Sequence, residues 1–529
     1  MISKKISKKI LTVVTTFTLL CSVFVMPTSA ATTKVVNSNT KGAINISVPK
    51  ANEENAIKAS VYQVISVKIK QIKDDTNAIA GAPQEKVYNW TSIGNDFIAA
   101  HNEYSAYADC NASFNTDDPQ NANAVTQEKA TEIFDKMSSY IRANDISPTY
   151  TATLTDGEAS LNVDMGEYII LLEDGTNVYQ ASVVNVVPYA KNELWYLDDQ
   201  SVVIKATKPQ IDKKVNSLDV EQVAIGDELQ YEITIDVPYY PDSIIEGTNK
   251  VTYTVKDTLD EGLILKKGSK VLVYGVSDKE TLIDTINVTS DTKNFTWNGD
   301  GRDIGRYTQV KLRYTVTVNS TVPIATPDSN KPGMWNNATL IYSNNPYDLD
   351  STEEMSTNVV AHTYGIDLTK VDRDGVTKLD GAHFTLKKQG SDTPLTFNME
   401  MPRNGGVYTY DPDAQNSDLI VSSLTDNKGQ LILKGLDIGT YVLEETRAPN
   451  GYNLLEKTIT ITITDNDKDG YIEEENKDTN SGYVYLNIKN TKSFTLPLTG
   501  DKGSMILVAS GIGIICIGFI IGLRRKEQK

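Results

Sequence analysis

Residues 441–452 read YVLEETRAPNGY. Successive side chains of an extended chain alternate between its two faces, so Tyr441, Leu443 and Glu445 share one face while Glu444 takes the other, where water solvates it. Glu445 is therefore a carboxyl group carried on an apolar face, and burying it without partners is costly. The same phase recurs at both ends of the surrounding stretch, 363–492. Ile366, Leu368 and Lys370 share a face, and so do Leu486, Ile488 and Asn490. An amine, a carboxyl and a carboxamide each sit where a hydrophobic residue is expected, which predicts that the three meet.

The preceding stretch, 207–362, repeats the pattern. IDKKV (211–215), DELQYEITIDVP (227–238), VTYTVKDTL (251–259), QVKLRYTVTVNS (309–320) and NNATLIYSNNP (336–346) all have period two. They are rich in β-branched and aromatic residues and separated by turn clusters, the signature of a β-sandwich. Lys213 lies in phase with Ile211 and Val215, and Asp257 with Val251, Tyr253 and Val255. Asn336 lies in phase with Ala338, Leu340 and Tyr342. Lys214 and Asn337 are the adjacent alternatives, and the phase disfavours both. Burial pushes a lysine toward the neutral amine and an aspartate toward the neutral acid. A neutral amine is a nucleophile, and a protonated carboxyl can polarise a carboxamide. Attack on Cγ with loss of ammonia would leave a Lys–Asn isopeptide bond.

These segments resemble the A-type Cna domains of pilins and collagen adhesins, which form this bond from Lys, Asp and Asn. The resemblance implies that Lys213 and Asn336 are bonded and that Asp257 is the catalyst. YVLEETRAPNGY is similar to the E-box of B-type Cna domains, roughly YxLxExxAPxGY, with every position met. It implies a Lys370–Asn490 bond with Glu445 as the buried acid. Each bond would tie the first strand of its domain to the last.

The C-terminal segment adds a second resemblance. Leu496, Pro497, Leu498, Thr499 and Gly500 form an extended pentapeptide, because proline fixes its own φ and pushes the preceding residue away from helix. Residues 504–523 are an uncharged apolar run long enough to cross a bilayer as a helix. Arg524, Arg525 and Lys526 follow as a basic cytoplasmic stop within the tail 524–529. The order resembles the LPxTG cell-wall sorting signal of Gram-positive surface proteins. It implies that a sortase cysteine attacks the Thr499 carbonyl, releases the chain from Gly500 onward and passes Thr499 to an amine. At the other end, Lys4, Lys5, Lys8 and Lys9 precede an apolar stretch over 10–25 and then Pro27, Thr28, Ser29 and Ala30. That is a secretory signal over 1–30, cleaved after Ala30.

Composition is consistent with a surface protein. The net charge of −18 argues against nucleic acid and anionic membranes as partners. Of three cysteines, Cys21 lies in the signal and Cys516 in the apolar run, so Cys110 alone remains and no internal disulfide can form. Isopeptide bonds would replace that staple.

The first domain, 31–206, has strand patterns at 42–50, 59–70, 166–175 and 181–189. Between them, Ile133, Phe134, Met137, Tyr140 and Ile141 fit one amphipathic helix. His101 and Cys110, in or beside the polar stretch 102–123, have no partner at metal-ligand or triad spacing and read as surface residues. The domain's end contains Trp195, Val202 and Ile204 followed by lysines. It resembles the end of the first domain of sortase-assembled backbone pilins, where a Tyr-Pro-Lys supplies the lysine that attacks the next subunit. Tyr-Pro-Lys itself is absent here, so Lys205 and Lys208 both stand as polymerising candidates.

Asp465-Asn466-Asp467-Lys468-Asp469-Gly470 begins like an EF-hand calcium loop. Its twelfth position is Asn476 instead of Glu and no helical pattern flanks it, so it reads as a solvated acidic turn and no metal is assigned. No nucleophile elbow, histidine metal motif or close carboxylate pair marks an enzyme. His362 and His383 lie in or next to strand patterns.

The expected architecture is mainly all-β: tandem immunoglobulin-like, Cna-type β-sandwich domains in a rod. It comprises the N-terminal domain (31–206), an A-type domain (207–362), a B-type domain (363–492), the sorting region (493–503) and a transmembrane sorting helix. The expected function is a structural shaft subunit of a covalent, sortase-built pilus anchored to peptidoglycan at the cell surface. Its partners would be sortases, further copies of itself, minor pilins and peptidoglycan, with a host surface or matrix left open; no cofactor is expected. The alternative is a monomeric wall-anchored adhesin of the collagen-binding kind.

Overall fold

The computed structural model describes residues 33–493 apart from 37–39, 50–55, 71–84, 116–120, 122, 175–176, 193, 239, 241–250, 331, 346, 401–404 and 474–479. The leader, the LPLTG pentapeptide and the apolar run 504–523 lie outside the described residues. No described helix is long and apolar enough to cross a membrane. The chain forms two compact units. One draws on segments up to residue 221, 228–319 and 334–361. The other draws on 222–227, 320–333 and 362 onward.

The first unit begins with a mixed layer. Strands Glu85–Trp90, Lys58–Lys70, Gly166–Glu173 and Ser182–Val186 lie side by side in that order. Tyr150–Thr153 also pairs with Lys58–Lys70. A smaller sheet of Gln200–Val203, Gly42–Ser47 and Glu158–Val163 encloses the core on one side. Ile44, Val61, Tyr168 and Ile170 are buried there. The other side is helical. The expected helix is present as Gln127–Ala143, capped by Thr126, and it buries Ile133, Phe134, Met137 and Ile141. The rest of the excursion, which the sequence pattern does not declare, contains Ser92–Ala100, a 3-10 turn Asn102–Tyr107 and Cys110–Phe114. These pieces are only five to nine residues long, too short to declare an apolar period. Their burial also corrects the surface reading of two residues. Cys110 is 4% exposed. His101 is half-buried, its Nδ1 2.9 Å from the Phe97 carbonyl and its ring 4.3 Å from that of Phe97.

The rest of this unit is a sandwich. Ile211–Val215, Glu228–Asp236, Gln309–Val318, Lys270–Val276 and Glu280–Asn287 form one sheet in that order. The other runs Asp348–His362, Met334–Asn345, Thr252–Leu259, Asn294–Asp300. The period-two patterns are realised directly: Glu228–Asp236 buries Leu229, Tyr231, Ile233 and Ile235 and turns its polar residues out. One expectation is corrected. Met334–Asn345 is not the last strand, because Asp348–His362 follows and pairs with it antiparallel. Polar residues between Ser351 and Asn358 keep that last strand largely in water, so its hydrophobic pattern is faint.

The second unit is another sandwich. Phe397–Met399, Val407–Tyr410, Gln430–Leu436, Tyr364–Asp372 and Tyr483–Asn490 form one sheet. Leu419–Ile420, His383–Lys388, Gly439–Arg447 and Ile459–Ile463 form the other. Leu368, Phe384, Leu386, Tyr408 and Leu433 are fully buried in its core. Each such side chain contributes about 1.5–3 kcal/mol by leaving water.

Candidate functional site

The alternating strands carry three ionisable or amide side chains into each sandwich core. In the first unit, Lys213 projects from Ile211–Val215 with its amine beside the stacked rings of the buried Tyr231 and Tyr314. Asp257 and Asn336 come from the facing sheet. Asp257 pairs with Ala338, and Leu259 with Asn336, so the acid and the carboxamide are diagonal neighbours on one face. Lys213, Asp257 and Asn336 are at most 1% exposed. The Lys213 Nζ lies 2.6 Å from Asn336 Oδ1 and also contacts Asp257 Oδ2. Lys214 instead turns outward to Asp219, and Asn337 is half-buried on the opposite face.

Burial pushes the Lys213 amine down to about 8, against the opposing pull of Asp257. Burial raises the Asp257 carboxyl, and Lys213 and Tyr314 pull it back. Both shifts favour the neutral forms that an amine attack requires.

A fourth residue belongs to this site. The Tyr314 hydroxyl donates to Asp257 Oδ2 at 2.8 Å and accepts from Asn336 Nδ2 at 3.0 Å. It holds the carboxamide with its oxygen toward the amine and its nitrogen toward the acid's side. Tyr314 carries no special signal in the sequence, because an aromatic at an inward strand position needs no further explanation. Only its hydroxyl, useless in an apolar core without a partner, hinted at more.

The second unit assembles the same chemistry on different strands. Lys370 and Asn490 lie on neighbouring parallel strands of one sheet, where Lys370 is opposite Ile488 and Asp372 opposite Asn490. Glu445 arrives from the facing sheet on Gly439–Arg447. Lys370 is 0% exposed and Asn490 1%. The Lys370 Nζ contacts Asn490 Oδ1 and lies 3.3 Å from Glu445 Oε1. Asn490 Nδ2 donates to Glu445 Oε1 at 3.1 Å and Oε2 at 3.2 Å, and to the Asn453 carbonyl at 3.0 Å. The Leu455 backbone N–H fixes Glu445 Oε2 at 2.8 Å. Burial lowers the Lys370 pKa, opposed by Glu445. Glu444 is exposed, as its phase requires.

The two sites solve one problem with different side-chain lengths. Glu445, one methylene longer, touches the carboxamide nitrogen itself. Asp257 reaches it through Tyr314.

The other predicted residues are placed as follows. Trp195, Val202 and Ile204 are buried, while Lys205 and Lys208 are exposed on either side of the short strand Ala206–Thr207. Leu496, Pro497, Leu498, Thr499 and Gly500 lie outside the described residues. The acidic turn is only partly as expected: Asp467 and Asp469 are exposed, but Asp465 is buried.

Comparison with known proteins bears on the fold and the anchor. Residues 365–478 match the SpaA family, a prealbumin-like fold domain, and residues 488–529 match the LPXTG cell wall anchor motif. The trypsin-resistant surface T6 protein of Streptococcus pyogenes is 26% identical over 293 residues, covering 50% of this chain and 48% of the relative. The fimbrial subunit type 1 of Actinomyces viscosus is 25% identical over 366 residues, 61% of this chain and 65% of the relative. The chain thus spans about half to two thirds of these relatives. Among solved structures, the T6 backbone pilin of Streptococcus pyogenes, described as a modular three-domain structure, superposes with a TM-score of 0.55 at 17% identity. That match covers 86% of this chain and 99% of the pilin, a likeness of fold.

Proposed function

We propose that this chain, a sortase-assembled pilin by its SpaA-type domain and LPXTG anchor, is the shaft subunit of a covalent pilus whose sandwiches staple themselves. The observation that carries the staple is the burial of three complementary groups in contact, twice, in one chain. In each site the neutral lysine Nζ attacks the asparagine Cγ. A C–N bond forms, the bond to Nδ2 breaks, and one proton passes from Nζ to the departing nitrogen, which leaves as ammonia. The acid carries that proton and polarises the carboxamide. In the first site Tyr314 holds Nδ2 in line with Asp257, and in the second Glu445 holds it directly. Each site acts once on its own chain, so the protein is a structural protein and turns over no external substrate.

The shaft reading rests on the fimbrial-subunit name of a relative, the wall anchor motif and exposed lysines at the end of the first domain. A sortase would join Thr499 of one subunit to Lys205 or Lys208 of the next, and the last subunit to a peptidoglycan amine. Minor pilins would complete the fibre. The test is an SDS gel of a muramidase wall extract probed for this protein. A boiling-resistant ladder that Lys205→Arg or Lys208→Arg collapses supports a shaft. A single monomeric band in the wild type overturns it in favour of a wall-anchored adhesin.

A further inference from the structure

We propose that Asp465, Asp467 and Asp469 form a calcium site in the loop after the Ile459–Ile463 strand. The three residues occupy alternate positions, with Gly470 next. One carboxylate oxygen from each lies within 4.8 Å of the others. Two oxygens bonded to one calcium ion at about 2.4 Å can be at most about 4.8 Å apart, so this spacing suits a shared ion.

A second observation points to a ligand. Asp465 is only 4% exposed. Its Oδ2 accepts hydrogen bonds from the Tyr364 hydroxyl at 2.6 Å and the Gly470 N–H at 2.9 Å. Its Oδ1 is buried and accepts none among the described residues. A buried carboxylate oxygen without a donor bears the full cost of its desolvation. Among the described residues no lysine or arginine forms an ion pair with any of the three acids. A cation bound by Asp467 and Asp469 from the solvent side would compensate Asp465 from within.

The loop is built to keep that arrangement. Gly470 has φ +88°, and a Cβ there would come within 2.4 Å of the buried His362 Nδ1. The Tyr471 carbonyl and the Glu473 carboxylate stand at the seventh and ninth positions, where calcium loops supply further oxygens. Glu473 already folds back over the loop, accepting a hydrogen bond from Asn466 Nδ2. The set is all oxygen, anionic and open to water on one side. That favours calcium over magnesium, which needs a tighter octahedron. The loop joins strands, so it shares with EF-hands only its first half.

The test uses the full-length chain, titrated with terbium and then with calcium or magnesium. Terbium emission is excited through tyrosine, and Tyr364 and Tyr471 are at hand. The expected result is saturation at one ion per chain, with displacement by calcium at about 0.1–1 mM, the range of extracellular modules, and little by magnesium. Asp467→Asn with Asp469→Asn should weaken binding at least tenfold. Both carboxylates are exposed, so this variant keeps its fold, which circular dichroism verifies. Equal emission in the variant, or no displacement by calcium up to about 10 mM, an order of magnitude beyond that range, would overturn the proposal.

Discussion

The Lys213 amine lies 2.6 Å from the Asn336 carboxamide oxygen although the two residues are 123 positions apart. In the other unit Lys370 and Asn490, 120 positions apart, are in the same relation. A covalent bond at either place closes nearly a whole sandwich into a ring.

Intact mass spectrometry of the purified ectodomain should therefore find it lighter than its sequence by two molecules of ammonia. Asp257→Ala should restore one, and Glu445→Ala the other. An unshortened wild-type mass would sink both staples.

Opening a ring should cost stability. The chain-entropy treatment of disulfides, taken as an analogue, assigns about 4.7 kcal/mol to a loop near 100 residues. For a domain of this size that corresponds to a fall in Tm on the order of 10 °C or more. Calorimetry of Asn490→Ala should show the fall in one transition and leave the other in place. An unchanged Tm would mean that the bond contributes no constraint.

Tyr314→Phe removes the bridge between Asp257 and Asn336 but keeps the ring that lines the Lys213 pocket. Ammonia loss at that site should slow by about tenfold or more, the kinetic equivalent of one lost hydrogen bond. Loss at the Lys370 site should be unaffected. Equal rates in variant and wild type, followed by mass on newly made chains from cell-free synthesis, would leave Tyr314 with a packing role only.

The Lys213 pKa gives a pH signature in a chain that cannot close the bond. In Asn336→Ala the folded amine titrates near 8, whereas an unfolded lysine titrates at about 10.4. Between these values the unfolded chain binds the extra proton, so stability rises with pH across that window. The full rise is about 3 kcal/mol, and the penalty is fully present below pH 8. The wild type, its amine consumed as an amide, should lack this rise. Denaturant titrations of both proteins from pH 7.5 to 10 compare the slopes, and parallel curves would contradict the assignment.

Much of the site was legible because phase along a strand is a local property. Once Ile211 and Val215 face inward, Lys213 must, and the same logic carries Asp257, Asn336, Lys370, Glu445 and Asn490 into the two cores. Lys214, Asn337 and Glu444 were excluded by the same alternation. The short helical pieces around Cys110 were not legible, because segments of five to nine residues hold too few apolar positions to declare a period. The final strand Asp348–His362 escaped notice since its solvated stretch lacks an apolar face.

What the sequence by itself determined was which face of each regular strand leaves water. Alternation along a strand depends only on neighbours one or two positions away, whereas the burial of Cys110 and Asp465 depends on packing. What only the tertiary structure decided was who meets whom. Sheet order sets Lys213 across the core from Asp257 and Asn336, yet puts Lys370 beside Asn490 with Glu445 opposite. It also brings Tyr314 between acid and carboxamide, and seats Asp465 against Tyr364 while leaving one of its oxygens without a donor among the described residues. These relations join residues dozens to more than a hundred positions apart, and no local periodicity encodes the spacing of strands that distant in the chain.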